Sequence, residues 1–320
     1  MPPIVYTLYH AVSETQSQSP SCLLPNIPLQ FDAKYHCLSN SVPENCQLVS
    51  EAGVAKAGKS AINLFLLGIL AGVYVALAAA GSTMAAFSLL ATPETYGLGR
   101  CMAGLVFPCG LMLVMLAGSE LFTGNTMMLL PLAQRRISLF ALLRNWLLVY
   151  VGNFVGSVFV AFLIYQSGQL NAGANLLGGV TIKIAAAKCS LTFVQAFLLG
   201  ILCNWLVCLA VWMAMSAKDV TGKILAMFFP IWLFVTSGYE HSVANMYYIP
   251  AGLLAALSPE WSSAAGLSET MASALSWENF FVANLLPVTL GNIVGGGIFV
   301  ALAYGFINRV TVTVSSKKTD

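Results

Sequence analysis

The sequence predicts an all-α integral membrane protein. It has six transmembrane helices, built as a 3+3 inverted repeat, with the second and fifth helices broken. Three observations predict this. Of 320 residues, 58% are apolar and 8% are charged, where a soluble domain has about 25% charged residues. Long uncharged runs recur along the chain, which has a mean hydropathy of +0.81. Three short motifs each occur twice, in the same order. The same composition excludes other classes. A net charge of +2 is too weak and scattered for nucleic-acid binding. There is no GxGxxG, no P-loop and no nucleophile–base set, so neither an enzyme nor a cofactor is expected. The eight cysteines form no CxxC pair and no His lies at zinc-ligand spacing, so they read as buried thiols and no metal site is expected.

The elements follow in order. Residues 1–48 are rich in Ser, Pro, Gln and Asn and lack a basic and apolar leader, so they read as a polar, disordered tail. A bilayer core of about 30 Å needs about 20 apolar residues in helix. Such runs lie at 61–86, 101–118, 139–166, 190–216, 223–237 and 280–308. The second and fifth are short, and each is followed by an apolar half-run, 124–134 and 242–257. A six-span transport domain over 49–308 results, with a C-terminal tail at 309–320. Six spans put both termini on one side. That side carries Lys34, Lys56, Lys59, Arg135, Arg136, Arg144, Lys218, Lys223, Arg309, Lys317 and Lys318, and the other only Arg100, Lys183 and Lys188. The bias makes both termini cytoplasmic in a cell membrane.

The repeat is read from its motifs. FLLGIL stands at 65–70 and at 197–202. Gly118-Ser-Glu120-x4-Asn125 matches Gly238-Tyr-Glu240-x4-Asn245, and GNFVG at 152–156 matches GNIVG at 291–295. Two copies follow, about 60–166 and 190–308. Three spans per copy is odd, so the second copy enters from the opposite side, and such folds carry their pathway on discontinuous helices at the midplane. GxxxG spacing at Gly68/Gly72, Gly152/Gly156 and Gly291/Gly295 allows close helix approach, within a protomer or between protomers.

The two breaks hold the chemistry. A helix broken in the membrane leaves backbone groups that need partners. Glu120 and Glu240 can accept from the freed N–H groups, and Asn125 and Asn245 can serve the same purpose. The alternative for these carboxylates is a proton relay or cation site. Half-helices starting after each break aim positive dipole ends at the gap, which favours a small anion. His241 is the only His outside the tail that holds His10 and His36, and its counterpart in the first copy is Leu121. Symmetric bracing needs no imidazole, so His241 is a candidate donor to a passing anion. The alternative is a neutral His hydrogen-bonded in the bundle. Thr123 offers a hydroxyl to the same site or caps its half-helix. Phe107, Leu111, Leu121, Phe122 and Phe234 flank the breaks as apolar constrictions, or as ordinary packing.

At these residues the chain resembles the formate/nitrite transporter family. AGSELFTGNT at 117–126, LCNWLVCLAVWM at 202–213, SGYEHSVANM at 237–246 and NLLPVTLGNIVGGG at 284–297 carry the resemblance. It implies an aquaporin-like protomer without NPA boxes and a homopentamer with one pore per protomer. It also implies passage of small monovalent anions, formate or nitrite. By motif position, His241 is then the central histidine and Thr123 the threonine of the loop in the second helix. Phe107, Leu111, Leu121, Phe122 and Phe234 are slit residues, Asn204 a pore asparagine and Lys188 an outer-vestibule lysine that attracts anions. Judged alone, Lys188 is a Lys snorkelling at a span end. An ordinary imidazole near about 6.5 and a carboxylic acid near about 3.7 make proton transfer uphill by roughly 4 kcal/mol. A dry slit can raise the carboxyl enough to narrow that gap. Channel and proton-coupled passage both stay open. The rival class is a neutral-solute channel of the aquaporin type.

Overall fold

The computed structural model describes residues 39–308, and every described element is helical apart from one isolated bridge, Ser39 to Ala217. Among the described residues, six helices are long and apolar enough to cross a membrane. They are α2 (Ala61–Leu90), α3 (Pro93–Gly118), α5 (Leu139–Gln166), α7 (Phe193–Ser216), α8 (Val220–Ser237) and α12 (Trp277–Asn308). Around them lie α1 (Val42–Ala57), the half-helix α4 (122–133), α6 (Leu176–Cys189), α9 (Ser242–Ala255), α10 (Pro259–Ala265) and α11 (Glu269–Ala274).

Local chemistry explains the helix starts. Ser60, Ser138, Thr192 and Asp219 each stand before a span, and each side chain accepts from the backbone N–H three residues on. That satisfies one of the orphan donors at a helix N-terminus. The starts at 190 and 280 move to Phe193 and Trp277, and the second span begins at Pro93 rather than 101. Arg100 is tolerated inside that span because its guanidinium donates to the carbonyls of Val235 and Thr236 at the end of α8. Outward faces are apolar, as at Ile62 (71% exposed), Leu147 (64%) and Phe140 (77%). In lipid such faces carry no hydrophobic penalty, so packing between helices must come from close fit.

Two helix pairs meet at glycines. Gly68 of α2 faces Val149 and Gly152 of α5, and a Cβ there would stand 2.9 Å from the Val149 carbonyl oxygen. Gly200 of α7 faces Val288 and Gly291 of α12, with 2.8 Å to the Val288 oxygen. Gly72, Gly156 and Gly295 lie against backbone in the same two seams. The GxxxG faces therefore pack within the protomer.

One boundary is corrected. The polar tail expected through residue 48 gives way at Val42 to α1. Glu44 returns its carboxylate to the Ser41 N–H at 2.8 Å, closing the first turn. The helix is docked by Asn45, which donates to the Trp212 carbonyl at 2.8 Å, and by Arg136, which donates to Ser50 at 2.8 Å. Residues 1–38 and 309–320, with His10, His36, Cys22 and Cys37, lie outside the described residues.

Candidate functional site

Two helix junctions hold the residues singled out in the sequence, α3 to α4 and α8 to α9. α3 leaves through a π-turn, in which the Ser119 N–H donates to the Val114 carbonyl at 3.0 Å. Gly118 then takes φ +84°, Leu121 is extended, and helix resumes at Phe122. α8 ends at Gly238, φ +78°, His241 is extended, and α9 starts at Ser242. Both glycines occupy the left-handed region, where a Cβ is costly.

The freed backbone groups have matched partners. At the first interruption Asn153 donates to the Gly68 and Glu120 carbonyls at 2.8 and 2.9 Å and accepts from the Phe122 N–H at 2.9 Å. At the second, Asn292 donates to the Gly200 and Glu240 carbonyls at 2.8 and 3.0 Å and accepts from the Ser242 N–H at 2.9 Å. The Glu120 and Glu240 N–H groups donate to Leu67 and Leu199, each at 3.2 Å. The three repeated motifs thus meet at each interruption. FLLGIL supplies two carbonyls, the GxE segment supplies the opened backbone, and the Asn of GN bridges them.

This corrects the expected role of the carboxylates. Neither Glu120 nor Glu240 accepts from the freed N–H groups. Glu120 pairs instead with Lys56 at 2.8 Å and Lys59 at 2.7 Å, and Glu240 with Lys188 at 2.7 Å. Asn125 and Asn245 donate to these carboxylates at 2.8 and 2.6 Å and to Asn145 and Asn284 at 2.8 and 2.7 Å. Asn145 and Asn284 in turn donate to the backbone carbonyls of Lys56 and Lys188, at 3.4 and 3.0 Å. A buried carboxylate is tolerable when it is paired and hydrogen-bonded in this way. Lys188 is therefore engaged by Glu240.

His241 joins the two interruptions. It is 4% exposed. Its Nδ1 accepts from the Ala244 N–H at 3.0 Å, capping α9, and its Nε2 lies 3.1 Å from Thr123 Oγ1. Because Nδ1 accepts a backbone N–H, the neutral ring carries its proton on Nε2 and directs it at Thr123. Thr123 caps nothing, since no side chain caps its half-helix. Its carbonyl is held by Thr126 at 2.7 Å, Asn204 at 3.1 Å and the Cys208 thiol at 3.4 Å.

Two cavities lie near this contact, and Thr123 itself lines neither. One, of about 190 Å³, is lined by Leu111, Leu121, Asn125, Met127 and Met128, together with Gly53 and Lys56 of α1. The other, of about 50 Å³, is lined by Arg100, Phe107, Lys188, Phe234, His241 and Tyr248. Phe107 lines the smaller cavity and Leu111, one helical turn on, the larger. Phe107 and Phe234 meet edge to face at 5.6 Å, and Phe234 stacks on His241 at 6.0 Å. Two expected slit and pore residues sit elsewhere. Phe122 packs edge-on against Tyr150 at 4.8 Å and Trp146 at 5.8 Å. Asn204 stands behind Thr123 and donates also to the Asn292 carbonyl at 2.6 Å. Neither lines these two cavities.

Sequence reasoning missed Asn145, Asn153, Asn284 and Asn292 as the bracing amides. A signal was present, because an amide in an apolar span must find a partner, and two of these belong to the GN motifs. Lys56 and Lys59 were counted only as topology charges, and nothing in their spacing ties them to Glu120.

Known proteins bear on this arrangement. The family model described as "Formate/nitrite transporter" matches residues 43–306. The chain is 42% identical over 256 residues to "Formate channel FocA" of Haemophilus influenzae, covering 79% of this chain and 89% of that one. Against "Formate channel FocA" of Escherichia coli strain K12 it is 39% identical over 267 residues, covering 82% and 92%. The solved structure "Pentameric formate channel with formate bound" superposes with a TM-score of 0.70 at 39% identity, over 77% of this chain and 97% of that one. With six apolar spans and this match across nearly all described residues, the chain is a multi-pass membrane protein of the formate/nitrite transporter family.

Proposed function

We propose that each protomer conducts a small monovalent anion of a weak acid, formate foremost and nitrite within reach, past the Thr123–His241 contact. The observation that carries this reading is that contact itself. It is a buried imidazole N–H against a hydroxyl, where His241, Phe107 and Phe234 line one cavity and Leu111 and Leu121 line another. An anion arriving there meets a neutral donor in a dry setting, where a hydrogen bond to a charged acceptor is at its strongest. A bare anion can pass on that donor alone. In the proton-coupled variant, a proton from the aqueous side joins the anion, which crosses as neutral acid, while the neutral ring donates its Nε2 hydrogen bond and keeps its own proton.

The relatives' identity as formate channels supports formate, and the pentameric neighbour supports a homopentamer with one conduit per protomer. The paired networks at Asn153 and Asn292 support a 3+3 inverted repeat with broken second and fifth helices. The excess of Lys and Arg at the α1 end supports cytoplasmic termini in the cell membrane.

The test is flux in liposomes at external pH 5.5 and 7.5, with formate, nitrite and glycerol supplied separately. Formate uptake that rises at the lower pH, with no glycerol flux, is expected. Glycerol flux without anion flux would transfer the protein to the neutral-solute class.

A further inference from the structure

Three side-chain donors converge on the carbonyl oxygen of Thr123. Thr126 Oγ1 donates to it at 2.7 Å, Asn204 Nδ2 at 3.1 Å and the Cys208 thiol at 3.4 Å. All four residues are fully buried. A carbonyl oxygen has two lone pairs, so three donors exceed what satisfying it requires. A Thr hydroxyl often returns to the carbonyl three residues back, and that habit accounts for Thr126 alone. It does not bring a thiol and an amide from α7 to the same atom.

The repeated motifs show that the two halves differ here. Counted from FLLGIL, Asn204 and Cys208 correspond to Gly72 and Ala76. Counted from the GxE segments, Thr123 and Thr126 correspond to Val243 and Met246. Gly72, Ala76 and Met246 carry no side-chain donor, so the Val243 carbonyl receives no such grip from these positions. Counted from the GN motifs, Gly296 corresponds to Ser157, and a Cβ at Gly296 would run into the Thr126, Asn204 and Cys208 side chains. The bracing amides occur in both halves. The clasp, and the space cleared for it, occur only in the half that serves Thr123.

We propose that Thr126 and Cys208 are positioning residues for transport: they fix the Thr123 backbone and so hold its hydroxyl on His241 Nε2, at 3.1 Å. The proposal rests on the transport reading above. Neither residue lines either cavity, so each acts on a passing anion only through Thr123. A donor pair keeps its function only while the groups around it hold its geometry to within about 0.5 Å. Asn204 also grips the Asn292 carbonyl, which leaves Thr126 and Cys208 as the cleaner probes.

Two readouts on the full-length protein test the clasp. The first is the Nε2 resonance of His241 in protein carrying isotope-labelled histidine, identified by its loss in His241→Asn. Thr123→Val sets the shift that marks a missing hydroxyl. Thr126→Val keeps the side-chain shape and removes the donor. It should move the resonance in the same direction, and Thr126→Ser should return it. Adding Thr126→Val to Thr123→Val should move it no further. The second is formate uptake in liposomes. Thr126→Val should lower maximal flux about fivefold, with the apparent KM held within about twofold because anions still reach the site. Thr126→Ser should regain most of that flux. A resonance that stays in place overturns the proposal. So does a further shift in the double variant, or a maximal flux within about twofold of wild type. If Thr126→Val does not fold, Cys208→Ala carries the same expectations, with Cys208→Ser as its rescue. If the wild type carries no formate, the transport reading fails by itself, and the resonance alone decides whether the clasp holds the contact.

Discussion

His241 has two jobs at two nitrogens, and substitutions can separate them. Nδ1 caps α9 through the Ala244 N–H, while Nε2 faces Thr123. Phe at 241 removes both. It should lower stability by about 1 kcal/mol through the lost cap and should abolish pH-dependent uptake. Asn at 241 can still cap, so His241→Asn should keep the melting temperature near wild type while losing pH-dependent uptake. Thermal melting alongside flux checks this, and intact pH dependence in His241→Asn would remove the ring from the conduction step. The lysines separate in another way. Glu240 has one lysine and Glu120 has two. Lys188→Gln strands a buried carboxylate, which costs about 3–5 kcal/mol where a buried pair is broken. Lys56→Gln leaves Lys59 in place and should cost clearly less. Lys188→Gln with Glu240→Gln should recover most of the loss. Denaturation of the four proteins in one detergent decides it, and an equally mild effect at Lys56 and Lys188 would mean that Glu240 is not held by Lys188.

At the scale of elements, the interrupted helices are supported from the side. α2 and α5 carry the Leu67, Gly68 and Asn153 groups that satisfy the first interruption, and α7 and α12 carry the Leu199, Gly200 and Asn292 groups for the second. Those groups reach the opened backbone only because the paired helices nearly touch. Gly68→Ala puts a methyl 2.9 Å from the Val149 carbonyl oxygen, so α2 and α5 must part. Such overpacking typically costs about 1–3 kcal/mol, and here it should also lengthen the Asn153 bonds and cut flux. Gly97→Ala meets nothing within 4 Å and should be neutral. Melting and formate flux of the two variants check the contrast, and equal behaviour would mean that the seam tolerates separation.

For the whole molecule, the two networks share one plan, but the site between them is not symmetric. His241 stands in one interruption where Leu121 stands in the other, and Thr123 answers across the gap. One protomer contains both partners of the Thr123–His241 contact. Native mass measurement in a mild detergent should give five copies. A dilution that yields monomers should release the neighbouring protomers without opening the Thr123–His241 contact, which the His241 imidazole resonances in NMR can follow.

The sequence by itself determined the class and the number of spans, because lipid imposes length and polarity rules that a single chain must obey locally. It also supplied Thr123 and His241, which the structure brings to 3.1 Å. Only the tertiary structure decided which group serves which. The carboxylates went to lysines from α1, the turn after it and α6, and the opened backbone went to asparagines from α5 and α12. Phe122 and Asn204 turned to packing behind the site, and the glycine seams closed within the protomer. Spacing along a chain ranks the groups that need partners. Which partner arrives depends on the approach of helices far apart in sequence, and that approach is set by packing.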